Sequence, residues 1–344
     1  MIIKLLDPSD QGSTKRWDEF VFACPEATFF HRAAWQGIMK DVFRHPAYFF
    51  YAEEAGEIQG VLPLAHVKSL LFGNALVALP FAVYGGVAAA NPAAQLALEE
   101  KARELADNLG VEHIEFRNIE SKHPDWPTQD LYVTFIRDIP EILDEKMLCI
   151  PQKRRNMVRK AIKLGLYSTH DDSVDDFFPL YAENVRDHGT PALGKKYFQA
   201  LVKSFGEDCD ILTIRAADGR PVSTIMSFYF RDQVLAYYAG EHSSARNTAA
   251  NDLKYWELMK RAAARGCKKF DLGRSKKGTG SFEFKRLWEF QTHPLHYEYV
   301  LLKRDQIPQN NPMNPKYRLF IWLWQRFPIP VANALGPMIV RNLG

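Results

Sequence analysis

The strongest constraint on this chain is an internal echo. A long helix closed by Gly110 leads into a strand carrying Glu115. A second long helix, closed by Gly266, leads into a strand carrying Asp271, and both offsets are 156 residues. The elements before each helix also recur in order. In the first half, a helix is expected over Arg32–Val42, with Trp35, Ile38, Met39 and Val42 on its buried side. Strands follow at Ala47–Tyr51 and Ile58–Val67, joined by the glycine turn EEAGE, and another at Ala75–Pro80. Asn91-Pro92 supplies an N-cap and a first-turn proline to a helix with Leu98, Ala102, Leu105 and Leu109 at helical spacing, before strand Ile114–Phe116. In the second half, helices are expected at Phe177–Asp187, stopped at Gly189, and at Tyr197–Phe205. Strands Ile211–Arg215 and Val222–Phe230 flank the turn AADGR, and Val234–Ala239 follows. A helix over Ala249–Arg265 turns Leu253, Trp256 and Met259 inward, and strand Lys269–Leu272 comes next. The turn glycines Gly56 and Gly219 differ by 163, close to the same offset. The order points to two copies of one unit in an α+β fold, each a mixed sheet flanked by helices. The expected domains are 1–148 and 149–305, with a tail at 306–344.

The length supports this division, because 344 residues exceed one ordinary core. The net charge of +3 means that any anion site must come from local clustering. Four dispersed cysteines (Cys24, Cys149, Cys209, Cys267) contain no CxxC pair, so neither a disulfide framework nor a zinc site is expected. Cys149 and Cys209 read as buried thiols in a reducing compartment. The start, MIIKLLDPSD, lacks an apolar core and cleavage site of the signal-peptide kind. Ser69–Leu98 carries no charge, but Pro80, Gly85, Gly86, Asn91 and Pro92 break it up, and buried strands explain it better than a membrane span.

Two basic stretches stand out. In DLGRSKKGTGSFEFKRLWEF, from Asp271 to Phe290, a loop with Gly273, Gly278 and Gly280 can bring backbone N–H groups close to a ligand, and Arg274, Lys276, Lys277, Lys285 and Arg286 surround it. Phe282, Phe284, Trp288 and Phe290 alternate as in a strand with one apolar face. A phosphorylated ligand suits this stretch; a solvated loop before a core strand gives the same pattern. The second stretch, IPQKRRNMVRKAIKLGL (Ile150–Leu166), reads as a helix with Met157, Val158, Ala161, Ile162 and Leu164 on its apolar side. Lys153, Arg154 and Arg155 sit in its first turn, where they oppose the helix dipole at about 0.3–1 kcal/mol each. An anion there removes that cost, and a solvated charged face is the alternative. The tail around Tyr317–Phe327 is dense in aromatics beside Lys316, Arg318 and Arg326. It suits either an interfacial helix on a membrane or docking through Phe320, Trp324 and Phe327, with Pro328 and Pro330 favouring docking.

Taken together, TFFHRAAWQGIMK, ALPFAVYGG, PQKRRNMVRKAIKLG and DLGRSKKGTGSFEFKRLWEF resemble the FemAB-like aminoacyltransferases. The nearest resemblance is to the FemAB-related proteins that accompany exosortase (PEP-CTERM) sorting and exopolysaccharide systems. The resemblance spans nearly the whole chain and implies two tandem GNAT-type domains. It implies transfer of an aminoacyl group, from aminoacyl-tRNA in well-studied members, to an amine on a cell-wall precursor. The family's Phe-Lys motif matches Phe284-Lys285, whose lysine is expected to bind substrate phosphate and steady the transition state. Trp35 and Lys40 match its early Trp-x-x-x-x-Lys pattern, with Tyr84 of the FAVYGG loop also on the substrate side. A family tyrosine falls at Tyr237 or Tyr238, and Lys196 lies where the family keeps a phosphate-contacting cation. FKRLWEF departs from the glycine-containing ending of the wall-bridge enzymes, which implies a different acceptor site. GEHSSARNTAAND, with Gly240 its only glycine, departs from the usual pyrophosphate loop of CoA enzymes.

The primary expectation is therefore an acyltransferase, aminoacyl in type, acting on an amine of a phosphate-bearing cell-envelope glycan or exopolysaccharide precursor. Lys285 is assigned to the oxyanion, and Lys40, Arg274 and Lys277 to phosphates. Asp271, Glu241 and His242 are candidates for the amine's proton, and Asp271 has the alternative of a strand-end residue bonded to backbone. Lys153, Arg154 and Arg155 are assigned to an anion. No metal and no tightly bound cofactor is expected; the donor is aminoacyl-tRNA or acyl-CoA. Two other readings stay open: a CoA-dependent N-acyltransferase on an amino sugar, and a non-catalytic RNA- or membrane-binding accessory protein. A cytoplasmic location, peripheral at the inner membrane face if the tail engages it, completes the expectation.

Overall fold

The computed structural model describes residues 1–69, 72–144, 146–308 and 318–342. Residues 309–317, including Pro315, Lys316 and Tyr317 of the expected aromatic tail, lie outside that set. In chain order the first half gives β1 (Ile2–Leu5), α1 (Gln11–Ala23), α2 (Ala34–Asp41), β2 (Ala47–Glu54), β3 (Glu57–Ser69), β4 (Gly73–Val77), β5 (Ala88–Ala89), α3 (Pro92–Leu109), β6 (His113–Asn118) and β7 (Thr128–Gln129). The second half gives β8 (Tyr132–Asp138), α4 (Gln152–Lys163), β9 (Tyr167–His170), α5 (Phe177–Asp187), α6 (Lys195–Phe205), β10 (Cys209–Arg215), β11 (Pro221–Phe230), β12 (Gln233–Glu241), α7 (Ala250–Ala264) and β13 (Lys269–Lys276). After these come α8 (Gly280–Arg286), β14 (Gln291–Pro294), β15 (His296–Leu301), α9 (Arg318–Trp324) and α10 (Ile329–Val340).

Two compact units result, and neither is continuous in sequence. The first takes in residues 1–131 and, of those described, 294–308 and 341–342; the second takes in 132–293 and 318–340. The sheet of the first unit runs β1-β2-β3-β4-β6-β15-β7, with β5 on β3. That of the second runs β14-β8-β13-β12-β11-β10-β9. β15, from far along the chain, lies between β6 and β7 (Tyr299 opposite Glu115, Tyr297 opposite Gln129). β8 pairs with β13 instead of with its neighbours in sequence.

In each sheet a parallel pair flanks a crossover helix: β4 with β6 around α3, and β12 with β13 around α7. The capping signals act where expected. The Asn91 side chain accepts the N–H of Ala94, Gly110 ends α3 in the left-handed region (φ +63°), and Gly266 follows α7 at φ +79°. A stripe of Ala94, Leu98, Ala102 and Ala106 at four-residue spacing packs α3 on Leu62, Leu64, Leu76 and Ile114. In the second unit Leu253, Trp256 and Met259 of α7 enter one core with Val158 and Ala161 of α4. Cys149 and Cys209 are half-buried, not buried as expected.

The main difference from expectation is the stretch after Gly280, which is helical and not a strand. The Thr279 hydroxyl caps α8 by accepting the N–H of Phe282, and Glu283 stands in its first turn. The helix stops at Arg286, so Trp288 and Phe290 enter the core from the turn beyond it, while Phe282 and Phe284 pack from α8 itself. The apparent alternation joins two segments of different geometry. α4 begins directly after Pro151, its N-cap, but Ile162 and Leu164 are exposed while Arg154 faces inward.

Candidate active site

In the second unit the parallel ladder between β12 and β13 is short. It joins Gln233–Leu235 to Lys269–Asp271 and then ends, although β12 runs on to Glu241 and β13 to Lys276. Bulges lie at the point where it ends. Against β11, β12 carries one extra residue between Ala236 and Tyr238. Against β8, β13 carries one extra residue between Asp271 and Arg274, with Gly273 left-handed at φ +65°. Such bulges turn a strand away from its neighbour and leave backbone groups for another partner.

Asp271 and Lys285 both hold the β13 bulge. The Asp271 carboxylate is fully buried; it accepts the Gly273 N–H at 2.7 Å, the Thr134 hydroxyl at 2.9 Å and the Gln233 amide at 3.3 Å. The Lys285 ammonium, also buried, donates to the carbonyls of Leu272 (2.5 Å), Gly273 (2.9 Å) and Arg274 (3.2 Å). Burial pushes Lys285 down to about 8, against the pull of Asp271. Three carbonyls match the three N–H donors of an ammonium. The amine is thus directed at the backbone of β13 and not at open space, and Asp271 takes the strand-end role weighed against a catalytic one. Phe284 is half-buried against the ring of Tyr255. Arg274 stacks on Tyr132 with its guanidinium carbon 4.6 Å from the ring centre, and Lys277 is exposed.

The β12 bulge brings Tyr237 and Tyr238 into edge contact, with ring centres 4.6 Å apart. Tyr238 is committed to the interior: its hydroxyl meets that of Tyr197 at 2.9 Å, and burial raises both well above the ordinary phenol value. Farther along, Gly240 lets α5 lie directly on the strand, since a Cβ there would come within 2.3 Å of the Tyr181 nitrogen. Lys196 is exposed at the start of α6, beside Lys195, which pairs with Asp175.

α7 follows β12 after a short 3-10 turn (Ser243–Asn247). Its N-cap, Ala249, is left-handed (φ +61°), and no side chain caps the helix. A buried charge network that the sequence did not announce stands here. Arg154 donates to Asp252 at 2.9 Å, with Lys254 and Glu241 close enough to act on the same groups. Desolvation dominates, raising Asp252 to about 6 despite Arg154 and lowering Lys254 to about 8 despite Glu241. Arg154 is therefore an internal partner of Asp252 and not an exposed anion ligand. Of the three first-turn cations of α4, Lys153 is exposed and Arg155 half-buried. His242, at the end of β12, keeps one ring nitrogen 2.7 Å from the Ser244 hydroxyl.

The first unit fills its equivalent strand end with its own chain. Beyond β4, the Arg117 guanidinium donates to the carbonyls of Ala82 (2.7 Å) and Leu79 (3.4 Å), and the Gly85 N–H donates to the Arg117 carbonyl. A Cβ on Gly85 would sit 2.1 Å from the Ala78 carbonyl oxygen. Two expected substrate residues of this unit are core residues. Trp35 is fully buried among Phe29 and Phe30, donating to the Phe29 carbonyl, and Tyr84 is buried against Phe30. Their aromatic faces belong to the apolar side of α2 and the loop above it, which is why they read as prominent. Lys40 is exposed and lines a surface hollow with Gln36, Arg44, His45 and Tyr48. Among the described residues no His, Cys, Asp and Glu group of metal-binding size occurs.

A short parallel ladder, two bulged strands and an uncapped crossover helix make up this end of the second sheet. Residues 152–286 match the acetyltransferase (GNAT) domain family. This segment is a GNAT acyltransferase domain. The whole chain has the tandem GNAT architecture in solved structures. It is similar to the crystal structure of FemX (TM-score 0.66, 15% identity, 93% of this chain and 100% of that chain covered). It is similar to the C-terminal domain of a putative lysylphosphatidylglycerol synthetase from Agrobacterium fabrum (TM-score 0.58, 12% identity, 85% and 91% covered). It is also similar to a tandem GNAT protein from the clavulanic acid biosynthesis pathway (TM-score 0.54, 12% identity, 87% and 97% covered). No curated protein sequence matches the chain significantly. The GNAT domain spans α4 to α8, so the β12–β13 end, the Arg154–Asp252 pair and the Lys285 clamp all belong to it.

Proposed function

We propose that this acyltransferase moves an aminoacyl group onto an amine of a phosphate-bearing cell-envelope glycan or exopolysaccharide precursor. The observation that carries the reading is the asymmetry between the units: the second ends its parallel ladder at Leu235 and Asp271 beside two bulges, while the first fills the equivalent place with its own loop. One acyl-binding frame then serves the reaction, and the other unit is free for recognition. The likeness to FemX and to a lysylphosphatidylglycerol synthetase domain supports an aminoacyl donor.

In this reading the acceptor nitrogen attacks the ester carbonyl of the aminoacyl donor. Negative charge builds on the carbonyl oxygen, and backbone N–H groups of β12 beyond Leu235 receive it. Collapse of the intermediate forms the amide bond and expels the tRNA ribose oxygen, which takes up a proton. The amine's own proton goes to Glu241 or His242, at the mouth of the strand end. Lys285 acts by fixing the bulge, and it meets the oxyanion only by releasing one of its carbonyls. Lys153, Arg155, Lys196, Arg274 and Lys277 of the second unit are assigned to phosphates, as is Lys40 of the first.

A second reading is favoured by the family match and by the uncapped N-terminus of α7: an acyl-CoA donor whose pyrophosphate sits on that helix end, with an amino sugar as acceptor. The donor decides between them. Purified protein is incubated with an amine-bearing sugar phosphate and either labelled aminoacyl-tRNA or labelled acetyl-CoA. Label moving from aminoacyl-tRNA alone is expected; label moving from acetyl-CoA alone, or from neither, ends the aminoacyl reading.

A further inference from the structure

The last two helices leave an apolar face without cover. α9 and α10 are held firmly on the second unit. Trp324, Ala332 and Gly336 are buried, and a Cβ on Gly336 would lie 2.8 Å from the Ala192 carbonyl oxygen. Arg186 donates to the Phe327 carbonyl at 3.2 Å, and Gln325 to that of Asp187 at 3.0 Å. On their other side Leu319 (67% exposed), Trp322 (50%) and Leu323 (43%) of α9 face solvent, as do Val331 (43%), Leu335 (40%) and Met338 (62%) of α10. Val331, Leu335 and Met338 follow i, i+4, i+7 spacing, so they form a stripe and not scattered exposures. Of the residues that docking was expected to bury, Trp324 is buried and Phe320 is exposed.

Charge identifies what fits this face. Residues 306–344 contain Lys316, Arg318, Arg326 and Arg341 and no acid at all. Arg326 stacks on Trp322, 3.9 Å from its ring centre, so cation and aromatic are presented together. A tryptophan with arginines around an aliphatic stripe suits the headgroup level of a bilayer. Two-fold pairing with a second copy would bring these uncompensated cations together, which disfavours a self-interface. No helix among the described residues is long and apolar enough to cross a membrane, and α9 and α10 suit a position in its surface.

We infer that α9 and α10 form a docking face for an anionic phospholipid surface, with Trp322 and the Val331–Leu335–Met338 stripe entering the headgroup layer and Arg318 and Arg326 meeting lipid phosphates. Flotation of the full-length protein with neutral phosphatidylcholine vesicles, and with vesicles carrying about 30% phosphatidylglycerol, tests this. Binding is expected to the anionic vesicles and to fall with added salt. The double variant Arg318→Gln, Arg326→Gln should weaken it about 30-fold, as two surface cations imply. The double variant Trp322→Ser, Leu335→Ser should abolish it, with an unchanged circular dichroism melt because both positions are exposed. Absence of flotation, equal flotation with both lipids, or wild-type binding by either variant overturns the inference. So does light scattering that shows a dimer which Trp322→Ser, Leu335→Ser converts to monomer.

Discussion

Lys285 shows how a catalytic-looking residue can serve by shaping the backbone. Its ammonium satisfies three carbonyls that the β13 bulge removes from the sheet ladder. Lys285→Ala would leave them buried without donors, at about 1–3 kcal/mol for each that water cannot reach. A loss of about 2–4 kcal/mol in urea unfolding is expected, together with loss of transfer activity; an unchanged unfolding midpoint would show that the clamp is not structural. Lys254 and Lys285 both stand at about 8, below the ordinary 10.5. Between those values the unfolded chain still holds protons that the folded chain has released, so these groups make stability rise with pH. Urea midpoints should therefore climb from pH 8 to 9.5, and Lys254→Met should flatten the climb. Composition and motif pointed to Lys285 but not to its partners, because which carbonyls a lysine meets depends on the bulge. Arg154 and Asp252 stand 98 residues apart in sequence, so no local pattern could pair them. Trp35 and Tyr84 were conspicuous as aromatics, and burial in a core makes them so as readily as contact with a ligand.

The elements themselves were legible where a cap or a turn residue fixes the backbone. Asn91 and Gly110 around α3, Gly56 in its hairpin and Gly266 after α7 each act through chemistry visible in the residue. The stretch around α8 reads as a strand only when Phe282 and Phe284 of the helix are joined with Trp288 and Phe290 beyond it in one periodic run. Thr279 and Glu283 carried the helix signal, and the run crosses the helix end. Thr279→Ala should cost about 1 kcal/mol in thermal or urea unfolding, as loss of an N-cap does, whereas a strand there would hardly notice the change. Gly240 makes a sharper test of packing. It is where α5 touches β12, and Gly240→Ala drives a methyl into the backbone of Leu180 and Tyr181. Overpacking of about 1–3 kcal/mol or more is expected, with the β12 end displaced and activity reduced. Normal stability and activity in that variant would mean that the helix does not lie on the strand as closely as described.

At the scale of the molecule, the repeated plan was readable and the exchange of strands was not. Equal offsets between helix-closing glycines reveal two similar units, because each copy keeps its own local signals. That β15 completes the first sheet depends on pairing over a long stretch of chain, which leaves no periodicity. The anchor is Glu298, whose buried carboxylate accepts from the Asn118 amide (2.6 Å), the Ser121 hydroxyl (2.8 Å) and the backbone N–H groups of Lys122 (2.9 Å) and His123 (3.0 Å). A fragment of residues 1–131 should therefore fail to fold, as judged by circular dichroism and by proteolysis. A cooperative melt from that fragment would show that β15 is dispensable.

The same strand sets a timetable for synthesis. About 165 residues separate the end of residues 1–131 from β15. At ribosomal speeds of about 5–20 residues per second, the amino-terminal sheet must wait roughly 10–30 s with a gap between β6 and β7. Until the closing strand emerges, the edge of β6 that β15 will pair has no strand to take its place.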